Sequence, residues 1–180
     1  MTRLHSPLEI GEGLVDGMRA VSVASRHMSM TMLIGLGAKV ISFRSRRTGR
    51  EFLWRDPIRS FRPAKFGSEY ASYDISGLDD CLPGIDACTY PESPWKGTPV
   101  VDHGELWSVP WSCSEVDDGL RLEVKGHYFP YRLTKTISFD PDLAKVDFDY
   151  HIENLGSAPM KFNWAAHPLF SAREGIGRVV

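Results

Sequence analysis

The sequence lacks the features that would place the protein in a membrane or outside the cell. No stretch of its 180 residues approaches the ~18 consecutive apolar residues of a membrane-spanning helix. The N-terminal segment MTRLHSPLEIGEG lacks the apolar core of a signal peptide. Three cysteines, Cys81, Cys88 and Cys113, form neither an even disulfide set nor a C-x-x-C zinc motif. We therefore expect a cytoplasmic protein whose cysteines are reduced and buried or half-buried.

An excess of charge of one sign is also missing. Lys and Arg total 21 against 23 for Asp and Glu, which gives a net charge of −2. The chain therefore has no basic field for a nucleic acid backbone or an anionic membrane surface, and we expect neither as a partner. Arginines crowd residues 44–50, but no aromatic residues interleave them for base stacking, so we interpret them as a solvated hairpin.

Several common catalytic motifs are absent as well. The sequence contains no G-x-S-x-G and no G-x-x-x-x-G-K-[ST], which excludes the usual serine hydrolases and nucleotide phosphate sites. Gly35-Leu36-Gly37 is a lone G-x-G with no third glycine and no following helical pattern, and it predicts a turn between strands. No segment has a convincing helical period.

The dominant pattern is the period of two that is typical of β-strands with one buried face. Residues 56–99 interrupt it with frequent proline, glycine and aspartate, and they predict a long, ordered surface loop. We therefore predict an all-β sandwich or barrel, in a single domain over residues 1–180. The predicted strands are RAVSVAS, SMTMLI, AKVISFRS, EFLW, WSCSEV, LRLEVKG, LTKTISF and KVDFDYHIE.

The first candidate site is the polar turn in VVDHGELWSVPW. It places Asp102, His103 and Glu105 between an apolar pair and a tryptophan-rich strand. A turn whose histidine caps backbone groups is one interpretation. A metal site at His103 and Glu105 is less favoured, because no second imidazole lies at a ligand spacing nearby.

The second candidate is His167 in MKFNWAAHPLF. If MKFNWAAH is one strand, alternation places Asn163 and His167 on one face and the aromatic Trp164 on the opposite, core-facing side. The small and polar face would leave a groove that a polyol could occupy. A core histidine bonded to the backbone is the competing interpretation.

Five stretches in the same order resemble the aldose 1-epimerase (galactose mutarotase) family, and together they cover most of the chain. They are GAKVISFRSRRTGREFLW, DDCLPGI, DHGELWSVPW, FPYRLTKTISF and HIENLGSAPMKFNWAAHPLF.

The resemblance implies a large antiparallel β-sandwich whose concave face binds a pyranose, and a cofactor-free interconversion of its α and β anomers. It implies that His167 is the general acid and that His103 holds the sugar near its ring oxygen. Asn163 keeps the family's N-x-x-x-H spacing and, with Asp102 and Glu105, is a substrate-binding candidate.

The sequence departs from the family in its later elements. The resemblance implies a glutamate base and a substrate-binding aspartate after the acid histidine, and the chain has no clear match for either; Glu174 follows His167 too closely. We therefore expect an incomplete copy of a longer enzyme that is unstable, oligomeric or inactive alone. A short protein that retains the sugar-facing strands, such as a non-catalytic carbohydrate-binding module, is the alternative. The sequence specifies neither the sugar, nor a phosphate on it, nor the oligomeric state.

Overall fold

The protein is built almost entirely from β-strands. The computed structural model describes residues 8–172, and within that range it contains strands and one short 3₁₀ turn, Tyr70–Ser72, with no α-helix. The strands are β1 Glu9–Val15, β2 Met18–Ala24, β3 Met28–Leu33, β4 Lys39–Ser45, β5 Leu78–Cys81, β6 Cys88–Thr89, β7 Pro99–Val100, β8 Ser112–Val116, β9 Gly119–Lys125, β10 Tyr131–Phe139, β11 Val146–Asn154 and β12 Ala165–Pro168.

The strands form two main antiparallel sheets. A six-stranded sheet has the order β1-β2-β3-β4-β5-β12, and a four-stranded sheet has the order β11-β10-β9-β8. β6 and β7 pair separately as a two-stranded ribbon. The pairing confirms the predicted all-β, antiparallel architecture.

The main core lies between the two large sheets. In β3, Met28, Met30 and Met32 are buried in the same hydrophobic cluster as Leu120 and Leu122 of β9. Inward residues alternate with more exposed ones such as Ser29 and Thr31, as a pleated strand requires. Two sheets that share one apolar interior form a β-sandwich, which confirms the predicted fold class.

Most of the predicted strands are present. Three differences lie in the N-terminal half, and one of them is β1, a strand that the sequence pattern does not predict. EFLW is not a strand: it makes only isolated bridges, from Glu51 to Arg44 and from Leu53 to Phe170. The predicted loop over residues 56–99 contains β5, β6 and the first residue of β7. β5 pairs with β4 on one side and with β12 on the other, so it is an internal strand of the six-stranded sheet.

The strand that carries His167 is shorter than predicted. β12 covers only Ala165–Pro168, and residues 160–164 lie outside any strand. The Asn163 amide donates to the Pro83 carbonyl at 2.9 Å, but proline has no N–H to return the bond, so the ladder ends there. Trp164 is 38% exposed, and its ring packs 4.6 Å from that of Tyr150, so its predicted core-facing position is wrong.

The cysteines are unpaired thiols. Cys81 is buried and Cys113 is half-buried, as predicted, whereas Cys88 is exposed on β6. Among residues 8–172, no helix has the length and hydropathy needed to cross a membrane.

Candidate active site

His103 lies in a left-handed turn that is fixed to the segment following β5. Its φ is +57°, and Gly104 follows with φ +77°. The His103 amide donates to the Ile85 carbonyl at 2.6 Å, and the Glu105 amide donates to the Leu82 carbonyl at 2.7 Å. A Cβ at position 104 would lie 2.3 Å from the Leu82 carbonyl oxygen, so only glycine fits this close approach.

Asp102 orients the His103 ring. One carboxylate oxygen lies 2.8 Å from His103 Nδ1, and the other accepts the Tyr70 amide at 2.7 Å. Burial works to raise the pKa of Asp102, but these bonds outweigh it and hold that pKa below its ordinary value. The carboxylate favours the tautomer in which neutral His103 carries its proton on Nδ1, which leaves Nε2 as an acceptor.

His167 enters the same site from β12, where it lies opposite Asp79 of β5. Its Nδ1 is buried and has no hydrogen-bond partner among the described residues. Burial lowers the pKa of His167, and the neighbouring His103 lowers it further. Asp79 opposes these effects, and the Lys39 charge adds to them. His167 is therefore mainly neutral at neutral pH.

Tyr70 joins the two histidines. Its ring stacks on His103 with the centroids 4.1 Å apart and meets His167 edge-on at 5.8 Å. The two imidazole centroids are 5.4 Å apart. We call these three side chains, His103, His167 and Tyr70, the histidine cluster. The structure thus brings together the two histidines that sequence analysis selected from distant segments.

A buried ion pair between Lys39 and Asp79 lies next to Tyr70 of the histidine cluster. The Tyr70 hydroxyl donates to Asp79 Oδ2 at 2.6 Å, and Lys39 Nζ lies 2.8 Å from the same oxygen. The side chains of Lys39 and Asp79 are each 1% exposed. Tyr70, Lys39 and Asp79 are not among the site residues that the sequence predicts. The available signal was a lysine at the start of the apolar strand KVISF and the adjacent carboxylates of DDC in an otherwise apolar segment.

Asn163 belongs to the segment that precedes β12. It lines a neighbouring cavity of about 380 Å³ with Pro83, Ile85 and Phe162. His167 is opposite Asp79, and the Asn163 amide bonds to the Pro83 carbonyl, so the pairing register of β12 extends to position 163. The His103 amide bonds to the carbonyl of Ile85, which also lines the cavity, so the cavity lies close to the turn that carries His103.

Glu105 does not reach the histidine cluster. It is 1% exposed, and its carboxylate accepts the amides of His127 at 2.9 Å and Tyr128 at 2.8 Å. Burial raises the pKa of Glu105 above its ordinary value, against the opposing effect of those two amides. The carboxylate holds the turn that follows β9 and has no oxygen directed at His103.

Other histidines lie away from the cluster. His127 packs on Phe66, with the ring centroids 4.1 Å apart, and His151 is exposed on β11. His5 and Glu174 lie outside the described residues. Over residues 8–172, no three His, Cys, Asp or Glu side chains are grouped as a metal ion would need.

Several solved structures have a fold similar to that of the chain. The Slr1438 protein of Synechocystis sp. PCC 6803 aligns with a TM-score of 0.66 and 18% identity over 98% of the chain. A candidate mutarotase of Salmonella typhimurium, YeaD, aligns with a TM-score of 0.50 and 18% identity over 72% of the chain. A 4-alpha-glucanotransferase of Thermococcus litoralis gives 0.52 and 15% over 83% of the chain. At these identities the likeness shows a shared fold and no more.

The chain is shorter than these relatives. It spans 59% of the Synechocystis protein, 42% of the Salmonella protein and 27% of the glucanotransferase. No curated protein matches the chain significantly. The family model described as aldose 1-epimerase matches residues 19–178, which is most of the sequence.

Proposed function

The chain belongs to the aldose 1-epimerase family, and from that premise we propose that its histidine cluster binds a free aldose and promotes exchange between its α and β anomers. The observation that carries this proposal is the pairing of two imidazoles, 5.4 Å apart, in different environments. His103 is anchored by a carboxylate at 2.8 Å, whereas His167 is half-buried with its pKa lowered. Two titratable groups in contrasting environments are typical of acid–base sites.

The proposed chemistry needs one proton donor and one proton acceptor. The protonated form of His167 donates to the ring oxygen while a base takes the proton of the anomeric hydroxyl, so the bond between C1 and the ring oxygen breaks. The resulting open-chain aldehyde rotates about C1–C2 and closes to the other anomer. His103, held by Asp102, orients the ring oxygen through Nε2. No cofactor takes part in these steps.

The base is the part of the mechanism that the described residues do not supply. Asp79 and Asp102 are the carboxylates beside the cluster, and each is already engaged. Asp102 bonds Tyr70 and His103, and Asp79 is buried against Lys39 and Tyr70. We propose that the 180-residue chain alone exchanges anomers little faster than the spontaneous rate.

We also refine the substrate-binding candidates. Asn163 remains one, because it is exposed and lines the 380 Å³ cavity. Asp102 acts through His103, and Glu105 acts on the turn at His127 and Tyr128. Both are therefore positioning residues in this proposal and not sugar ligands.

The test supplies the missing base from solution. Polarimetry follows mutarotation of freshly dissolved α-D-glucose and α-D-galactose with a series of sodium acetate concentrations, with and without the chain. We expect acetate to raise the rate more strongly when the wild-type chain is present. Because positioned acid catalysis contributes about 100-fold or more, His167→Ala should remove this increment, and His103→Ala should weaken it.

The matched control is His151→Ala, which removes an exposed imidazole far from the cluster and should leave the increment intact. An equal increment in the His167→Ala chain would contradict the role of His167. No increment with the wild-type chain would contradict the proposed isomerase activity.

The absence of a positioned base favours one alternative function, that of a non-catalytic carbohydrate-binding module. Saturable sugar binding by calorimetry without any increment would select it.

A further inference from the structure

Three aromatic side chains meet at the surface, where the loop that carries Tyr70 packs on the turn that follows β9. The His127 ring packs on Phe66 with the centroids 4.1 Å apart. The Tyr128 ring lies 5.3 Å from Phe66 and 4.9 Å from His127. His127 and Tyr128 are exposed, and Phe66 is half-buried. We call these three residues, Phe66, His127 and Tyr128, the aromatic platform. Single exposed rings are common, whereas rings that cluster at a surface are typical of a binding site.

A buried carboxylate fixes the backbone that presents the aromatic platform. Glu105 is 1% exposed, and its carboxylate accepts the amides of His127 at 2.9 Å and Tyr128 at 2.8 Å. Burying a carboxylate costs free energy, and the proposed acid–base chemistry does not use this one. Glu105 lies two residues after His103, in a turn that is itself bonded to the segment after β5. One turn therefore positions both the His103 ring and the aromatic platform.

Residues next to the aromatic platform and next to the histidine cluster line one cavity of about 590 Å³. Its lining includes Gly67, which follows Phe66, and Asp102, whose carboxylate bonds His103 Nδ1 at 2.8 Å. Glu69 adds an exposed carboxylate to the same lining. The volume falls within the ~300–1,000 Å³ of small-molecule sites. Carboxylates accept hydrogen bonds from hydroxyl groups, so the lining suits a polyol that extends from the cluster towards the platform.

We propose that the aromatic platform binds a pyranose unit of an oligosaccharide whose reducing-end aldose lies at the histidine cluster. The inference rests on the proposed function, because anomer exchange requires a free anomeric hydroxyl and only the reducing-end unit has one. The next unit is attached through another hydroxyl of that aldose and follows the 590 Å³ cavity. At the platform, the C–H face of a pyranose packs against the Tyr128 ring while the hydroxyl groups at its edge stay in water.

The test is side-chain NMR of the histidines in the ¹⁵N-labelled full chain, titrated with two monosaccharides and their trisaccharides. Maltotriose and cellotriose extend D-glucose, and β-1,4-galactotriose extends D-galactose. We expect at least one trisaccharide to bind about tenfold more tightly than its monosaccharide. That trisaccharide should shift the resonances of His127, His103 and His167 with one dissociation constant, whereas the monosaccharide should shift only those of His103 and His167.

Variants of Tyr128 separate the aromatic platform from the histidine cluster. Tyr128→Ala should reduce the trisaccharide affinity to that of the monosaccharide and leave the monosaccharide affinity unchanged, which also shows that the variant is folded. Tyr128→Phe retains the ring and should retain most of the tighter binding. The control is Leu143→Ala, which removes an apolar side chain that is 57% exposed in the turn between β10 and β11 and should change neither affinity.

Three results would overturn the role of the platform while leaving the proposed function intact. They are monosaccharide binding with no trisaccharide that binds more tightly, a His127 shift whose dissociation constant differs from that of the cluster, and an equal loss of both affinities in Tyr128→Ala. If neither His103 nor His167 responds to the monosaccharides, the proposed function itself is contradicted, and this extension of it with it. The two failures are therefore distinguishable.

Discussion

Tyr70 is the residue on which the geometry of the site depends most. Its ring supports His103 at 4.1 Å, its amide binds Asp102 and its hydroxyl binds Asp79. Burial, followed by the Asp79 charge, raises the pKa of the Tyr70 phenol far above its ordinary value, so the hydroxyl remains a donor at all physiological pH values. One side chain therefore connects the half-buried imidazoles to the buried carboxylate.

Tyr70→Phe is expected to destabilise the fold while keeping the ring stack. The change removes one of the two contacts to Asp79 Oδ2, which keeps its pair with Lys39, and a hydrogen bond to a charged group contributes about 1.5–3 kcal/mol. Urea denaturation measures the free energy of unfolding. Tyr128→Phe, at a residue that is 44% exposed, is the control and should change stability by less than about 0.5 kcal/mol. Equal effects of the two substitutions would contradict the role of the Tyr70 hydroxyl.

At the scale of single residues, the sequence predicts the two histidines of the site better than the residues that hold them in place. His103 and His167 stand out because an imidazole in a polar turn or an apolar run is unusual. Lys39 and Asp79 give a weaker signal, a lysine at the start of an apolar strand and one of two adjacent carboxylates, and Tyr70 gives none. Their role comes from tertiary contacts between β4, β5 and the 3₁₀ turn, which no local pattern encodes.

At the scale of elements, β5 is the strand that links the site to the core. Asp79 and Asp80 are adjacent and point to opposite faces, as successive strand residues do. Asp79 pairs with Lys39 of β4, whereas Asp80 pairs with Lys135 of β10, in the other sheet, at 2.7 Å. Both side chains of the second pair are 0% exposed, so a buried ion pair ties β5 across the sandwich.

Lys135→Met is expected to destabilise the protein strongly. It leaves the Asp80 carboxylate buried without its cation, and breaking a buried pair in this way costs about 3–5 kcal/mol. The double variant Lys135→Met/Asp80→Leu should recover most of that loss, because well-packed apolar residues often replace a buried pair without cost.

The matched control for this pair is Lys145→Met. It breaks the Lys145–Asp147 pair, whose side chains are 56% and 58% exposed, and it should leave the free energy of unfolding almost unchanged, because solvent screens an exposed pair. Urea denaturation compares the three variants with the wild type. A loss in Lys135→Met as small as that in Lys145→Met would show that the inter-sheet pair does not stabilise β5.

The elements that the sequence predicts are those with a clear period of two, such as β9, β10 and β11. β1 and β5 were not predicted, because glycine and acidic residues interrupt the alternation in EIGEGLV and LDDC. β12 ends early for a reason outside its own sequence: its neighbour at position 83 is a proline. Strand boundaries therefore depend on partners that a local pattern does not contain.

At the scale of the whole molecule, the buried titratable groups predict how stability depends on pH. The pKa of His167 is lowered from 6.5 in the fold, by burial first and then by His103. As the pH falls below 6.5, the unfolded chain takes up this proton before the folded chain does. The contribution of neutral His167 to stability is at its maximum above pH 6.5. It is lost as the pH falls through the pKa that His167 has in the folded chain.

A second loss of stability follows at lower pH. Burial works to raise the pKa of Glu51, but the Ser42 hydroxyl and the amides of Phe43 and Leu53 hold that pKa below 4.5. The pKa of Asp102 likewise lies below 3.8, although its burial works to raise it. Their contributions are present above those values and are lost as the pH falls through the folded pKa values. Glu105 has the opposite sign, since burial raises its pKa.

Urea denaturation between pH 8 and pH 5 isolates the His167 contribution. We expect the free energy of unfolding to decline below pH 6.5 in the wild type and in His151→Gln, and to decline less in His167→Gln. The same slope in all three proteins would show that His167 is not perturbed by its burial in the cluster.

The central claim is that residues distant in the sequence, His103 and His167, form one sugar site. Titration of the ¹⁵N-labelled chain with D-glucose and D-galactose, followed by side-chain NMR of the histidines, tests this most directly. We predict that the His103 and His167 resonances shift together with a single dissociation constant, while His127 and His151 do not move. If neither histidine responds saturably to either sugar, or if the two respond with different dissociation constants, the account is contradicted.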